Sequence, residues 1–141
     1  MRPLGAGILG PHSSIDPHER ELVIDRTCAR CGCEYEWGVH VTAYGTVVGL
    51  SQEHLQKTVT ADAQDTVWTE REQTLLALVD ELHETSTISD ELWERLVVGW
   101  NTSQIIELIV TVGWYHIISF VANAAHIEHE PWAVRFPRLE P

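Results

Sequence analysis

The chain is predicted to be all-α, with about six helices, and three observations predict it. No alternating apolar–polar run is flanked by hairpin turns, so strand signals are weak throughout. Apolar residues recur instead at helical spacing, as in Leu75, Leu76, Leu78, Val79 and Leu82. A Ser, Thr or Asp placed to cap a helix precedes most of these runs. At 141 residues, 44% of them hydrophobic and 21% charged, the chain is long enough for one domain with a core of its own.

Taken in order, residues 1–15 carry Pro3, Gly5, Gly7, Gly10 and Pro11 and read as an irregular lead-in. The helical domain is expected over 16–129. It opens with Asp16 as a cap and Pro17 at the first helical position, a paired start signal. Leu22, Val23 and Ile24 lie among charges, as on a partly buried helix. Gly32 interrupts, and a helical pattern resumes at "EYEWGVHVTAYGTVV" and stops near Gly49. "SQEHLQKTV" is a short helix capped by Ser51, and "ADAQD" is a loop.

Thr69 and Glu72 stand at capping-box spacing ahead of the Leu75–Leu82 run. Ser89 caps "DELWERLVVGW", and Thr102 or Ser103 caps the long apolar helix that follows. Ile105 to Ala125 has spanning length, but Glu107, His116 and Asn123 would be costly in a bilayer. It is expected to be a core or subunit-interface helix. Residues 130–141 contain three prolines and are expected to be an extended tail.

The formal net charge of -12 argues against a nucleic-acid or anionic-membrane partner, which would need a basic footprint. No convincing signal peptide opens the chain. Three cysteines within six positions do not make a secreted disulfide framework, so a reducing cytoplasm is expected.

Candidate chemistry concentrates in "CARCGCEYEWGVH", Cys28 to His40. At about 100° per residue, Cys33, Glu36 and His40 share one helix face, and Tyr44 continues the stripe. If Gly32 breaks the helix, Cys33 falls near the start of the second segment, where the helix dipole favours a thiolate. Cys28 and Cys31 have the spacing of one zinc-ligand pair, but only His126 and His129 offer a second, so no metal site is predicted. Glu36 and His40, four apart, fit either proton transfer or an ordinary surface ion pair. Tyr35, Trp37 and Tyr44 suggest an aromatic substrate pocket around them. The other histidines have plainer readings: His54 and His83 on charged helix surfaces, and His116 as a hydrogen-bonded core residue. Six tryptophans suggest large buried or intersubunit surfaces.

"ERELVIDRTCARCGCEYEWGVHV" resembles the signature of the carboxymuconolactone decarboxylase and alkylhydroperoxidase AhpD-like superfamily. The peroxidase branch has a Glu, eleven residues, then Cys-x-x-Cys-x-x-x-His. Here that pattern falls on Glu21, Cys33, Glu36 and His40, with Glu36 in place of the second thiol and Tyr35 in place of the histidine between the thiols. The resemblance implies an all-α fold and a homo-oligomer, trimer or hexamer.

It also implies a first functional reading, a peroxiredoxin-like oxidoreductase reducing hydroperoxides. Cys33 would attack a peroxide oxygen, His40 and Glu21 would relay the proton, and Cys31, Cys28 or an external thiol reductant would resolve. The second reading is a cofactor-free decarboxylase of a carboxylated lactone. His40 and Glu36 would be its acid and base, and Arg30 or Arg135 would hold the substrate carboxylate. The third is a non-catalytic scaffold binding a ligand or partner. The first two act on a small molecule, and none of the three calls for a cofactor or metal.

Overall fold

The computed structural model describes residues 12–138, so residues 1–11 of the expected lead-in and the last three of the tail lie outside them. Six α-helices follow one another: α1 Pro17–Arg30, α2 Glu34–His40, α3 Gln52–Thr60, α4 Glu70–Thr85, α5 Asp90–Gly99 and α6 Thr102–Ala124. Among the described residues there is no strand. One turn of π-helix, Val41–Gly45, continues α2, a feature that the sequence pattern did not announce.

α1 is the central element, and α2, α3, α4 and α6 all pack on it. It starts as expected: the Asp16 side chain accepts from the backbone N–H groups of His18 and Glu19, and Pro17 occupies the first turn. It is less typical in its middle, where every residue from Glu21 to Cys28 is buried. A partly buried helix was expected; a helix enclosed on all sides is found. α1 ends because Gly32 takes φ +61°, a left-handed conformation that turns the chain so that α2 can start at Glu34.

The remaining caps follow from short polar side chains. Ser51 accepts from His54 N–H and Ser89 from Leu92 N–H. Thr69 and Glu72 form the reciprocal capping box. The cap of α6 is Asn101, boxed with Gln104, rather than Thr102 or Ser103. Asn ranks with Ser as a cap, and the Gln three residues on completes the reciprocal pair.

α6 is long and apolar enough to cross a membrane by length and composition alone. It carries two faces. Ile105, Leu108, Val112, Tyr115 and Ala122 are buried against the other helices, whereas Ile106, Val110, Ile117, Phe120 and Val121 are exposed.

The tail from Glu130 is non-helical and folds back over α2. Val134 N–H donates to Thr42 Oγ1, Phe136 N–H donates to Glu34, and the Phe136 ring meets Trp37 edge-on at 5.3 Å. Gly38 permits this approach, since a Cβ there would lie 2.2 Å from the Val134 carbonyl oxygen.

Arg26 fastens the centre. Its guanidinium pairs in fork fashion with Asp80 of α4, both bonds 2.9 Å, and donates to the carbonyls of Thr58 (2.9 Å) and Ala61 (2.7 Å). Four of its five donor directions are thus used by α3, the residue that follows it and α4. Asp80→Ala leaves a buried cation without its counter-charge and is expected to destabilise the fold by about 3 kcal/mol in urea unfolding. Glu84→Ala, which removes an exposed partner of Arg30, should shift stability by less than about 0.5 kcal/mol.

Candidate active site

The site grows from the enclosed turn of α1 and the facing turn of α2. Glu21 is 3% exposed, Asp25 0% and His40 4%, so three ionisable side chains lie within the core. His40 Nδ1 is 2.9 Å from Glu21 Oε1. Its Nε2 is 3.3 Å from Glu36 Oε1 and 3.2 Å from the hydroxyl of Tyr115, which α6 supplies. The Tyr115 ring stands edge-on to the imidazole at 5.1 Å, and Tyr44, on the π-helical turn, tilts against it at the same distance.

Burial by itself would hold His40 neutral, but hydrogen bonds donated to Glu21 and Glu36, reinforced by both charges, win. The net effect raises the imidazole from its ordinary 6.5 to about 9. At neutral pH His40 is therefore an imidazolium gripped between two carboxylates. Asp25 goes the other way electrically. Its carboxyl is fully enclosed with Glu21 as its side-chain partner, and one oxygen lies within 4.8 Å of both Glu21 and His40. Burial first, and the neighbouring Glu21 second, push its carboxyl well above the usual range, so Asp25 stays protonated. Burial, followed by the charges of Glu36 and Glu21, likewise keeps Tyr115 a neutral phenol.

A small cleft of about 90 Å³ opens beside these groups, lined by Arg20, Glu21, Tyr44 and Val48. Sequence reasoning did not single out Arg20. Arg30 pairs with Asp80 and Glu84, and Arg135 with Glu34. Arg20 directly precedes Glu21 in the chain, and that adjacency on a helix with a catalytic-type Glu was the available signal.

The structure brings Glu21, Glu36, His40 and Tyr44 together with Cys28 and Cys33 buried beside them, whereas Cys31, Tyr35 and Trp37 lie elsewhere. Cys33 occupies the N-cap position of α2, fully buried, and His40's hydrogen-bond partners are Glu21, Glu36 and Tyr115 rather than this thiol. The backbone N–H of Cys33 donates to the Cys28 carbonyl at 2.9 Å, and the two thiols lie close enough to interact electrostatically. Burial, then Asp25, Glu36 and Cys33, push the Cys28 thiol well up, with Ser119 opposing. Tyr35 donates to Glu130 of the tail, and Trp37 donates to Thr58 Oγ1 at 2.9 Å, so neither lines the His40 cleft.

Cys31, half-buried, lies on the outer side near His83. His83 is not an independent surface residue: its Nδ1 is 2.9 Å from His116 Nε2. His129 pairs with Glu34 and leaves no second metal-ligand pair with His126.

The sign of the pH effect follows from the raised imidazole. Its stabilisation is fully present below pH 6.5 and is lost as pH rises through about 9. NMR titration of the His40 ring should give a midpoint near 9, and Glu36→Gln should move it downward by removing one hydrogen bond and one charge.

Comparison with known proteins supplies the context. No curated protein matches the sequence. One solved structure that is similar is a protein of unknown function from Agrobacterium tumefaciens, described as a putative antioxidant defence protein AhpD. It matches with a TM-score of 0.82 at 20% identity, over 92% of this chain and 87% of the other. A second, an uncharacterized peroxidase-related protein from Silicibacter sp. TM1040, matches with a TM-score of 0.81 at 17% identity, over 92% of this chain and 68% of that one. At these identities the likeness establishes the fold, which is AhpD-like. The sequence model of the carboxymuconolactone decarboxylase family matches residues 1–81, more than half of the chain and all of the segment that carries Glu21, Glu36 and His40. The chain belongs to the carboxymuconolactone decarboxylase family.

Proposed function

We propose that this protein is a cofactor-free acid–base enzyme acting on a small carboxylated, conjugated carbonyl compound of the lactone type. The observation that carries this reading is the buried imidazolium of His40, held by Glu21 on one nitrogen and by Glu36 and Tyr115 on the other. A group charged at neutral pH and shielded from water is suited to give a proton rather than take one. In decarboxylation the C–C bond to the carboxylate breaks and CO₂ leaves. The electron pair moves through the conjugated system into the carbonyl as a dienolate, and His40 protonates carbon. Glu21 steadies the ring through Nδ1, and solvent restores the proton. Arg20, on the cleft wall, provides the cation for an anionic substrate.

A second reading, the peroxiredoxin-like one, is favoured by the grouping of Cys28 and Cys33 and by the names of the two similar structures. In it, Cys33 takes the terminal oxygen of a hydroperoxide, releasing an alcohol and becoming a sulfenic acid. Cys28 then condenses with it, releasing water, and a dithiol reductant returns both thiols. It ranks second because Cys33 is fully buried and a protonated His40 has no capacity to deprotonate it.

The two readings separate on three variants. CO₂ release from carboxylated lactones should survive Cys33→Ser within about threefold, fall by about 10²–10⁴ in His40→Asn and fall by at least about tenfold in Glu36→Gln. Rapid hydroperoxide-driven oxidation of Cys33, with no lactone turnover, would instead establish the thiol reading.

The expectation of a homo-oligomer is supported by the exposed apolar face of α6. Ile106, Val110, Ile117, Phe120 and Val121 lie one or two turns apart on one side of the helix. Light scattering should give a mass above that of a single chain, and Phe120→Glu should lower it towards 16.0 kDa.

A further inference from the structure

We infer that Cys31, His83 and His116 form a binding site for a divalent transition metal of the zinc type, separate from the His40 centre. The inference goes beyond the proposed function and uses none of its residues. Three elements deliver one ligand each: the turn after α1, the last turn of α4 and the middle of α6. The sulfur and one nitrogen of each ring all lie within 4.8 Å of one another. Cys31 Sγ is 4.0 Å from His83 Nδ1, which is 2.9 Å from His116 Nε2.

A tetrahedral zinc ion with bonds of about 2.3 Å to sulfur and about 2.05 Å to nitrogen requires S···N near 3.6 Å and N···N near 3.3 Å. Both measured distances are within about half an ångström of that geometry, and the third separation is no more than 4.8 Å.

The ligands are oriented before any ion arrives. His116 Nδ1 lies 2.7 Å from the Val112 carbonyl oxygen of its own helix. That bond requires the proton on Nδ1 and leaves Nε2 as a bare lone pair aimed at His83, the arrangement that carbonyl partners impose on metal-binding histidines. Cys31 is fixed through its backbone, for Asn123 Nδ2 donates to its carbonyl oxygen at 3.0 Å. The Gly32 turn follows directly. Phe120 packs edge-on against the His116 ring, shielding one flank.

All three ligand residues are half-buried, which gives an ion a path in and leaves a fourth position for water. A pair of histidines alone would need only the N–H···N bond between them. The sulfur, brought to the same point from a third element, is what makes the cluster a ligand set. A bound metal would tie α1, α4 and α6 together and hold Cys31 as a thiolate, out of reach of disulfide chemistry.

The test uses the full-length reduced protein, stripped with a chelator and titrated with Co²⁺. One equivalent should produce the near-ultraviolet thiolate-to-cobalt band and the strong visible bands of a tetrahedral ion, and Zn²⁺ should abolish both by displacement. Cys31→Ser should remove the thiolate band, and Cys31→Ser and His83→Ala should each weaken Zn²⁺ binding by more than about tenfold. Both side chains are half-buried, so circular dichroism should report folded variants. Absence of the thiolate band in the wild type would overturn the assignment. So would its persistence in Cys31→Ser, or metal binding that Glu21→Gln abolishes and Cys31→Ser does not.

Discussion

The structure depends on one constraint: a helix turn rich in ionisable groups, Glu21 to Cys28, is enclosed on every side. Enclosure removes water as a partner, so each polar group there must find another or lose its charge. Arg26 finds Asp80 and two carbonyls, and thereby locks α1 to α3 and α4. Glu21 finds His40, and thereby locks α1 to α2. Asp25 finds only the neighbouring Glu21, and its carboxyl is pushed well above the usual range. The packing order of the domain and the composition of its site are thus two consequences of the same burial.

That arrangement dictates what His40 does. A lone imidazole at this depth would be neutral, and two carboxylates reverse the outcome because their attraction grows as the dielectric falls. Glu36 is decisive here. At the position where the peroxidase branch has its second thiol, it supplies an anion to the very nitrogen that a thiol would otherwise use. With Glu36 there, the nitrogen faces a carboxylate in place of a thiol.

Much of the fold could be read from the chain because local signals and packing agree. Asp16–Pro17, Ser51, Thr69–Glu72 and Ser89 each cap the helix expected of them, and Gly32 breaks the chain where a left-handed residue is needed. Asn101 was overlooked because two hydroxyl residues follow it and also have the chemistry of a cap. The site was legible in part. The spacing of Glu36 and His40 gives their contact, and the break at Gly32 places Cys33 at the start of the second segment as expected of such a break. Tyr115 and Arg20 come from long-range packing and from a cleft, neither of which has a local signature. The π-helical turn that brings Tyr44 against His40 has none either.

The same turn explains why one short cysteine motif feeds three environments. Before it, Cys28 points into the core from the last turns of α1. At it, Cys31 is carried outward to His83 and His116. After it, Cys33 returns inward at the start of α2. On an uninterrupted helix, Cys31 and Cys33 would differ by about 200° and no backbone rotation would re-aim either. With Gly32 at φ +61°, the direction of each thiol is set by the turn rather than by helical phase. Three thiols within six positions therefore take different directions: Cys28 and Cys33 are buried beside the His40 site, and Cys31 lies outward near His83 and His116.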